Sequence, residues 1–101
     1  MFQSINNRYV TRSVAEDVPI ATQLFLWSLI DDQVSSGKKL DYFQKFELKA
    51  TERGQEILQS QEEPQWSQKV LLQLADLICL NKTIWVIDDV EYQTMLFPED
   101  Y

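Results

Sequence analysis

The chain has 101 residues, 45% of them hydrophobic, with 9 basic against 16 acidic side chains and a net charge of −7. Such a length and composition fit one small domain over 1–101 whose folding buries roughly 65% of the surface of the unfolded chain, and they exclude a second domain and a disordered polymer. With no histidine, one cysteine (Cys79) and two glycines (Gly37 and Gly54), the composition also excludes imidazole-activated nucleophiles, an internal disulfide, a four-cysteine zinc site and glycine-rich phosphate loops.

In chain order, Arg8-Tyr9-Val10-Thr11-Arg12 is rich in branched and aromatic residues, alternates in character as a strand with one wet face does, and is expected to form the first strand. Pro19 suits the first turn of a helix, because its missing amide hydrogen is not needed there, and a helix is expected over about 19–35. Ile20, Leu24, Trp27 and Val34 recur at helical spacing as its apolar stripe, widened by Phe25, Leu29 and Ile30, and Gly37 lies beyond as a stop. Residues 40–50 alternate like a half-buried strand, with Leu40, Tyr42, Phe46 and Leu48 inward and Asp41, Lys45, Glu47 and Lys49 outward. Thr51-Glu52-Arg53-Gly54 is a turn that returns the chain along residues 55–61, and Glu62-Glu63-Pro64-Gln65 reverses it again.

Residues 66–80 are ambiguous. Trp66, Val70, Leu74 and Ile78 share helical spacing, yet Lys69 to Leu74 also reads as a buried strand, which is the preferred reading. Asn81-Lys82 turns into a strand over Thr83 to Ile87, and after residues 88–91 a last strand runs from Tyr92 to Phe97 and ends at Pro98. The fold class expected is α+β: a single small domain, mainly antiparallel sheet, with one principal amphipathic helix packed on one face.

These segments carry a resemblance. Arg8 to Arg12, Leu24-Phe25-Leu26-Trp27 with Leu29-Ile30-Asp31, Ser60-Gln61-Glu62-Glu63-Pro64, Trp85-Val86-Ile87-Asp88-Asp89 and Thr94-Met95-Leu96 before Glu99-Asp100-Tyr101 resemble, in that order, a family of small uncharacterised proteins from staphylococci, streptococci, enterococci and their relatives, a domain of unknown function. The resemblance implies a cytoplasmic Gram-positive protein of one small domain and brings no activity. Val90 stands where relatives are expected to carry a turn-forming glycine, which leaves the geometry of that hairpin open.

Charge divides along the chain. Residues 1–51 hold six acids and six bases, whereas residues 52–101 hold ten acids against Arg53, Lys69 and Lys82, so the whole net charge lies in the second half. That field disfavours nucleic acid and anionic membrane and favours a basic protein partner. The opening Met1-Phe2-Gln3-Ser4 lacks a basic region followed by an apolar run, and the longest apolar stretch, Leu24 to Trp27, is too short for a span, so a cytoplasmic location is expected.

Candidate sites are few. Asp88, Asp89 and Glu91, with Glu99 and Asp100, form a candidate acidic docking surface. The first three are weighed as ligands for a divalent ion, although carboxylates in a turn are more often simply solvated. Lys38, Lys39, Lys45 and Lys49 interleave with Tyr42, Phe43 and Phe46, but alternation sends Tyr42 and Phe46 inward and leaves Phe43 beside the lysines. Trp27 and Trp85 sit in apolar windows and are expected in the core, while Trp66, after a polar reversal, is the candidate exposed anchor beside Phe43 or Tyr92. The leading expectation is a non-enzymatic interaction module without cofactor, its acidic half docking a basic protein. The alternatives are an inhibitor that imitates nucleic acid and a metal-dependent hydrolase using Asp88, Asp89 and Glu91.

Overall fold

Phe46, Leu48, Ile57, Ile84, Val86 and Met95 are buried at alternate positions of neighbouring strands, which builds one apolar sheet face against a helix. The structure, a computed structural model, describes Phe2 and residues 7–101; the remainder of the opening stretch read above for a targeting signal lies outside the described residues. The elements are β1 (Asn7–Val10), α1 (Arg12–Asp17), α2 (Ile20–Ser35), β2 (Phe43–Thr51), β3 (Gly54–Glu62), β4 (Gln65–Leu72), β5 (Lys82–Asp88) and β6 (Tyr92–Leu96), followed by a short 3-10 turn, Pro98–Asp100. Six strands form one sheet in the order β1-β6-β5-β2-β3-β4. β1 runs parallel to β6, and the other neighbours are antiparallel. This is the expected α+β arrangement, one main helix on a largely antiparallel sheet.

Three local expectations change. The first strand ends at Val10, because the Thr11 amide donates to the Met95 carbonyl at 3.0 Å and the Thr11 hydroxyl then caps α1 by accepting from the Val14 amide at 3.4 Å. α1 was hidden because Thr11, a β-branched residue, reads as strand until its hydroxyl is seen to cap. In the ambiguous stretch the strand extends only to Leu72 and residues 73–81 are irregular. Gln55 fastens that segment, donating to the Leu80 carbonyl at 3.0 Å and accepting from the Leu80 amide at 2.7 Å. Gly54 is required where β3 begins: a Cβ there would lie 2.6 Å from the Leu72 carbonyl oxygen.

The helix stripe is rotated from its expected position. Ile20 and Leu24 are 67% and 61% exposed, whereas Thr22, Gln23, Leu26, Trp27, Ile30 and Gln33 are buried. Hydropathy sends glutamine outward, but a buried amide is tolerated when its hydrogen bonds are made. Gln23 donates to the Val18 carbonyl at 2.8 Å and so ties the start of α2 to the end of α1.

Gln33, at the other end of α2, enters a chain of amides on the sheet. Gln33 and Gln59 exchange hydrogen bonds at 2.7 and 2.9 Å, Gln59 donates to Gln44 at 2.9 Å, and Gln68 donates to Gln59 at 3.1 Å. All four places on the Gln59 amide are filled. Gln44 donates to Gln61 at 2.7 Å and to the Asp41 carbonyl at 2.9 Å. Gln61 in turn donates to the Lys39 and Pro64 carbonyls and accepts from the Asp41 amide. The chain therefore links α2, β2, β3, β4 and the connection from α2 to β2.

The reversal between β5 and β6 settles the question raised by Val90. Val90 has φ 74, and Glu91 donates its amide to the Asp89 carbonyl at 2.9 Å across it, the bonding of a γ-turn. A β-branched residue carries a steric penalty there that glycine escapes. Val90→Gly is accordingly expected to raise stability by about 0.5–1 kcal/mol after glycine's extra chain entropy is subtracted, checked by the urea midpoint. Gln59→Leu is expected to cost about 3 kcal/mol, because it orphans amide groups on Gln33, Gln44 and Gln68. The double change Gln33→Leu/Gln59→Leu should cost clearly less than the sum of the singles in a double-mutant cycle.

Candidate functional site

A sheet covered by a helix on one face exposes the other, and β5 is apolar on both. Ile84 and Val86 point to the core, so Thr83, Trp85 and Ile87 point away from it. Register then assembles rows across the open face: Phe43, Ile87, Thr94 and Tyr9 lie side by side on β2, β5, β6 and β1, and Lys45, Trp85 and Leu96 form the next row. Trp85 is thus not in the core. It is half-buried on the uncovered face, where its window of apolar neighbours serves both faces of one strand. Tyr42 was expected inward and is 52% exposed, standing just before the first residue of β2.

These side chains enclose a groove of ≈ 420 Å³. Phe43, Trp85 and Ile87 line it together with Tyr42, Tyr92 and Tyr101, and Asp89 is the one charged residue in its lining. The rings meet edge to face or tilted, Tyr42 to Phe43 at 6.3 Å, Phe43 to Trp85 at 5.0 Å and Trp85 to Tyr101 at 6.0 Å between centroids. Tyr92 is braced from outside by Tyr9 at 5.8 Å.

Asp100 places Tyr101. Its carboxylate accepts from the Ser13 hydroxyl at 2.6 Å, the Thr11 hydroxyl at 2.7 Å and the Phe97 amide at 3.0 Å, which lashes the 3-10 turn to the start of α1. Those donors, the Ser13 hydroxyl foremost, hold the carboxyl below its ordinary value of 3.8.

The acids expected to form one docking surface stand in different environments. Asp88 is buried at 4% exposure and accepts from the Val90 amide at 2.9 Å, so it adds nothing to an outer face. Asp89 lines the groove, and Glu91 is exposed on the same reversal. Glu99 lies 4.0 Å from Lys82, and Asp100 is occupied by the turn. Among the described residues no group of three or more His, Cys, Asp or Glu could hold a metal ion. Trp66 lies opposite Gln61 on the helix-covered side of β4, half-buried, with the Lys38 ammonium 4.1 Å from its ring centre. It therefore does not stand beside Phe43 or Tyr92. Asp89, Phe43 and Tyr92 were singled out in the sequence, but their grouping with Trp85, Tyr42 and Tyr101 in one groove was not, although one signal was available: Ile84 to Ile87 is apolar at both parities, and a single expected helix covers only one face.

The family model described as staphylococcal protein of unknown function (DUF960) matches residues 7–100. The chain belongs to this family. The order of its segments had indicated such a relationship. A crystal structure of a protein of unknown function from Enterococcus faecalis has the same fold, with a TM-score of 0.86 and 22% identity over 100% of this chain and 98% of that chain. No curated protein matches. Among the described residues no helix is long and apolar enough to cross a membrane.

The lowered carboxyl of Asp100 sets a pH dependence. Its stabilising contribution is present above 3.8 and is lost as pH falls through the lower folded value. Acidification through that range is expected to loosen the turn and alter Trp85 fluorescence as Tyr101 departs, and Asp100→Ala should show the acid signal already at pH 7.

Proposed function

We propose that this family member is a non-enzymatic interaction module of the cytoplasm that docks a basic protein partner in the aromatic groove. The observation that carries the reading is the composition of the groove: five aromatic residues and Asp89, with no lysine or arginine in the lining, in a chain of net charge −7. Aromatic side chains that offer both apolar area and a hydroxyl or indole N–H are the usual anchors of protein interfaces. The acid surplus steers a basic partner toward them, and that steering weakens with salt. The unpaired Cys79 accords with a reducing compartment.

In this reading Trp85 takes the anchor role expected of Trp66, and Asp89 is the member of the expected acidic surface that serves the groove. Capture from a Gram-positive lysate with the wild-type protein, repeated with Trp85→Ala and Asp89→Lys, tests it. Both variants are expected to weaken retention of the same partner by roughly tenfold or more, and Trp66→Phe is expected to leave it unchanged. Retention that ignores Trp85 and Asp89 would remove the groove from the interface. Displacement of the partner by duplex DNA would favour a nucleic-acid mimic instead.

A further inference from the structure

The chain already shows how it holds a cation on an aromatic ring. Arg8 lies 4.6 Å from the centre of the Trp27 ring and forks onto Asp31 at 2.6 and 3.0 Å. One guanidinium thus uses a ring face and a carboxylate together, as its flat, five-donor shape allows. Lys38 covers the ring of Trp66, and Lys82 stands 4.9 Å from the ring centre of Phe97. Among the described residues no such cation covers Tyr42, Phe43, Trp85, Tyr92 or Tyr101, although these rings share one groove. Lys45, beside Trp85 in register, has its ammonium 3.8 Å from Glu47.

Backbone bonds bring the open rings to the carboxylate. The Asp89 amide donates to the Tyr92 carbonyl at 2.8 Å, and the Asp88 amide donates to the Tyr42 carbonyl at 2.9 Å, so both tyrosines and Asp89 stand at one end of the groove. From Asp89 to Trp85 is four residues, a distance of about 13 Å by strand rise. An extended arginine side chain covers about half of that.

Resting on the docking reading above, we infer that the groove takes an arginine of an extended basic segment. The guanidinium lies between Tyr42 and Tyr92 and forks onto Asp89, and the methylene stem follows Ile87 and Phe43. The segment's next same-facing residue, two positions away, is apolar and packs on Trp85 beside Tyr101. Lysine fits less well, because its compact, strongly hydrated ammonium gains from the carboxylate but lacks a flat face for the rings.

The test is titration of the isotope-labelled full chain with the peptide acetyl-Gly-Arg-Gly-Leu-Gly-amide, followed by the Trp85 indole and the Asp89 and Tyr92 amide signals. The same peptide with lysine or with citrulline in place of arginine is the comparison. Saturable shifts at those signals are expected, with a Kd of about 1 mM, about fivefold weaker with lysine and undetectable with citrulline. Asp89→Asn, a conservative change on an exposed turn, should erase the preference for arginine, and Tyr92→Leu should weaken binding while backbone signals elsewhere stay in place.

Equal binding of the arginine and lysine peptides overturns the inference and leaves the docking reading standing on charge. No groove shift with any peptide, in a protein whose captured partner still depends on Trp85, likewise overturns it alone. Absence of both the shifts and a Trp85-dependent partner removes the inference and the docking reading together.

Discussion

The amide chain through Gln33, Gln59, Gln44 and Gln61 is the constraint on which the rest of the structure depends. A glutamine carried into an apolar layer is costly unless its donors and acceptors are used, and Gln59 uses all four places. Each partner holds its own position because the next one does. An apolar interface alone would let a helix slide or rotate with modest loss, whereas the two directional bonds between Gln33 on α2 and Gln59 on β3 admit one placement.

That placement decides which face of the sheet is covered. With Gln33, Ile30 and Leu26 set against the sheet, the residues of opposite parity on β2, β5 and β6 have no layer above them. β5 supplies Trp85 and Ile87 to that uncovered side, and the turn held by Asp100 swings Tyr101 across. The groove and the helix seat are therefore two consequences of one register. A shift of β5 by a single residue would exchange Ile84 and Val86 for Trp85 and Ile87 and destroy both.

Charge is deployed with similar economy. Asp31 serves Arg8, Glu99 lies by Lys82, and Asp100 serves the hydroxyls of α1. Of the acids gathered between Ile87 and Tyr92, Asp88 turns inward to bond its own reversal, and Asp89 is the one that lines the groove. A run of carboxylates in a sequence is thus a poor guide to a surface, because side chains two or three residues apart on a turn answer to different neighbours.

Much of the fold was legible in the sequence. The helix over residues 20–35 followed from Pro19, apolar periodicity and the Gly37 stop, which takes φ 81. The hairpin at Thr51 to Gly54 and the strands at residues 83–87 and 92–96 followed from alternation and turn residues. These are local matters, governed by backbone preference and by neighbours within a few positions. The rotation of α2 was not legible, since hydropathy cannot distinguish a glutamine facing water from one whose amide is satisfied by another glutamine 26 positions away. Nor was the groove, whose members come from three strands and the residues flanking them. By itself the sequence determined the main helix and the approximate places of most strands, and which chemistries lacked their side chains. Only the tertiary structure decided which apolar residues meet the helix and which remain open to a partner, because that choice rests on contacts between residues remote in the chain.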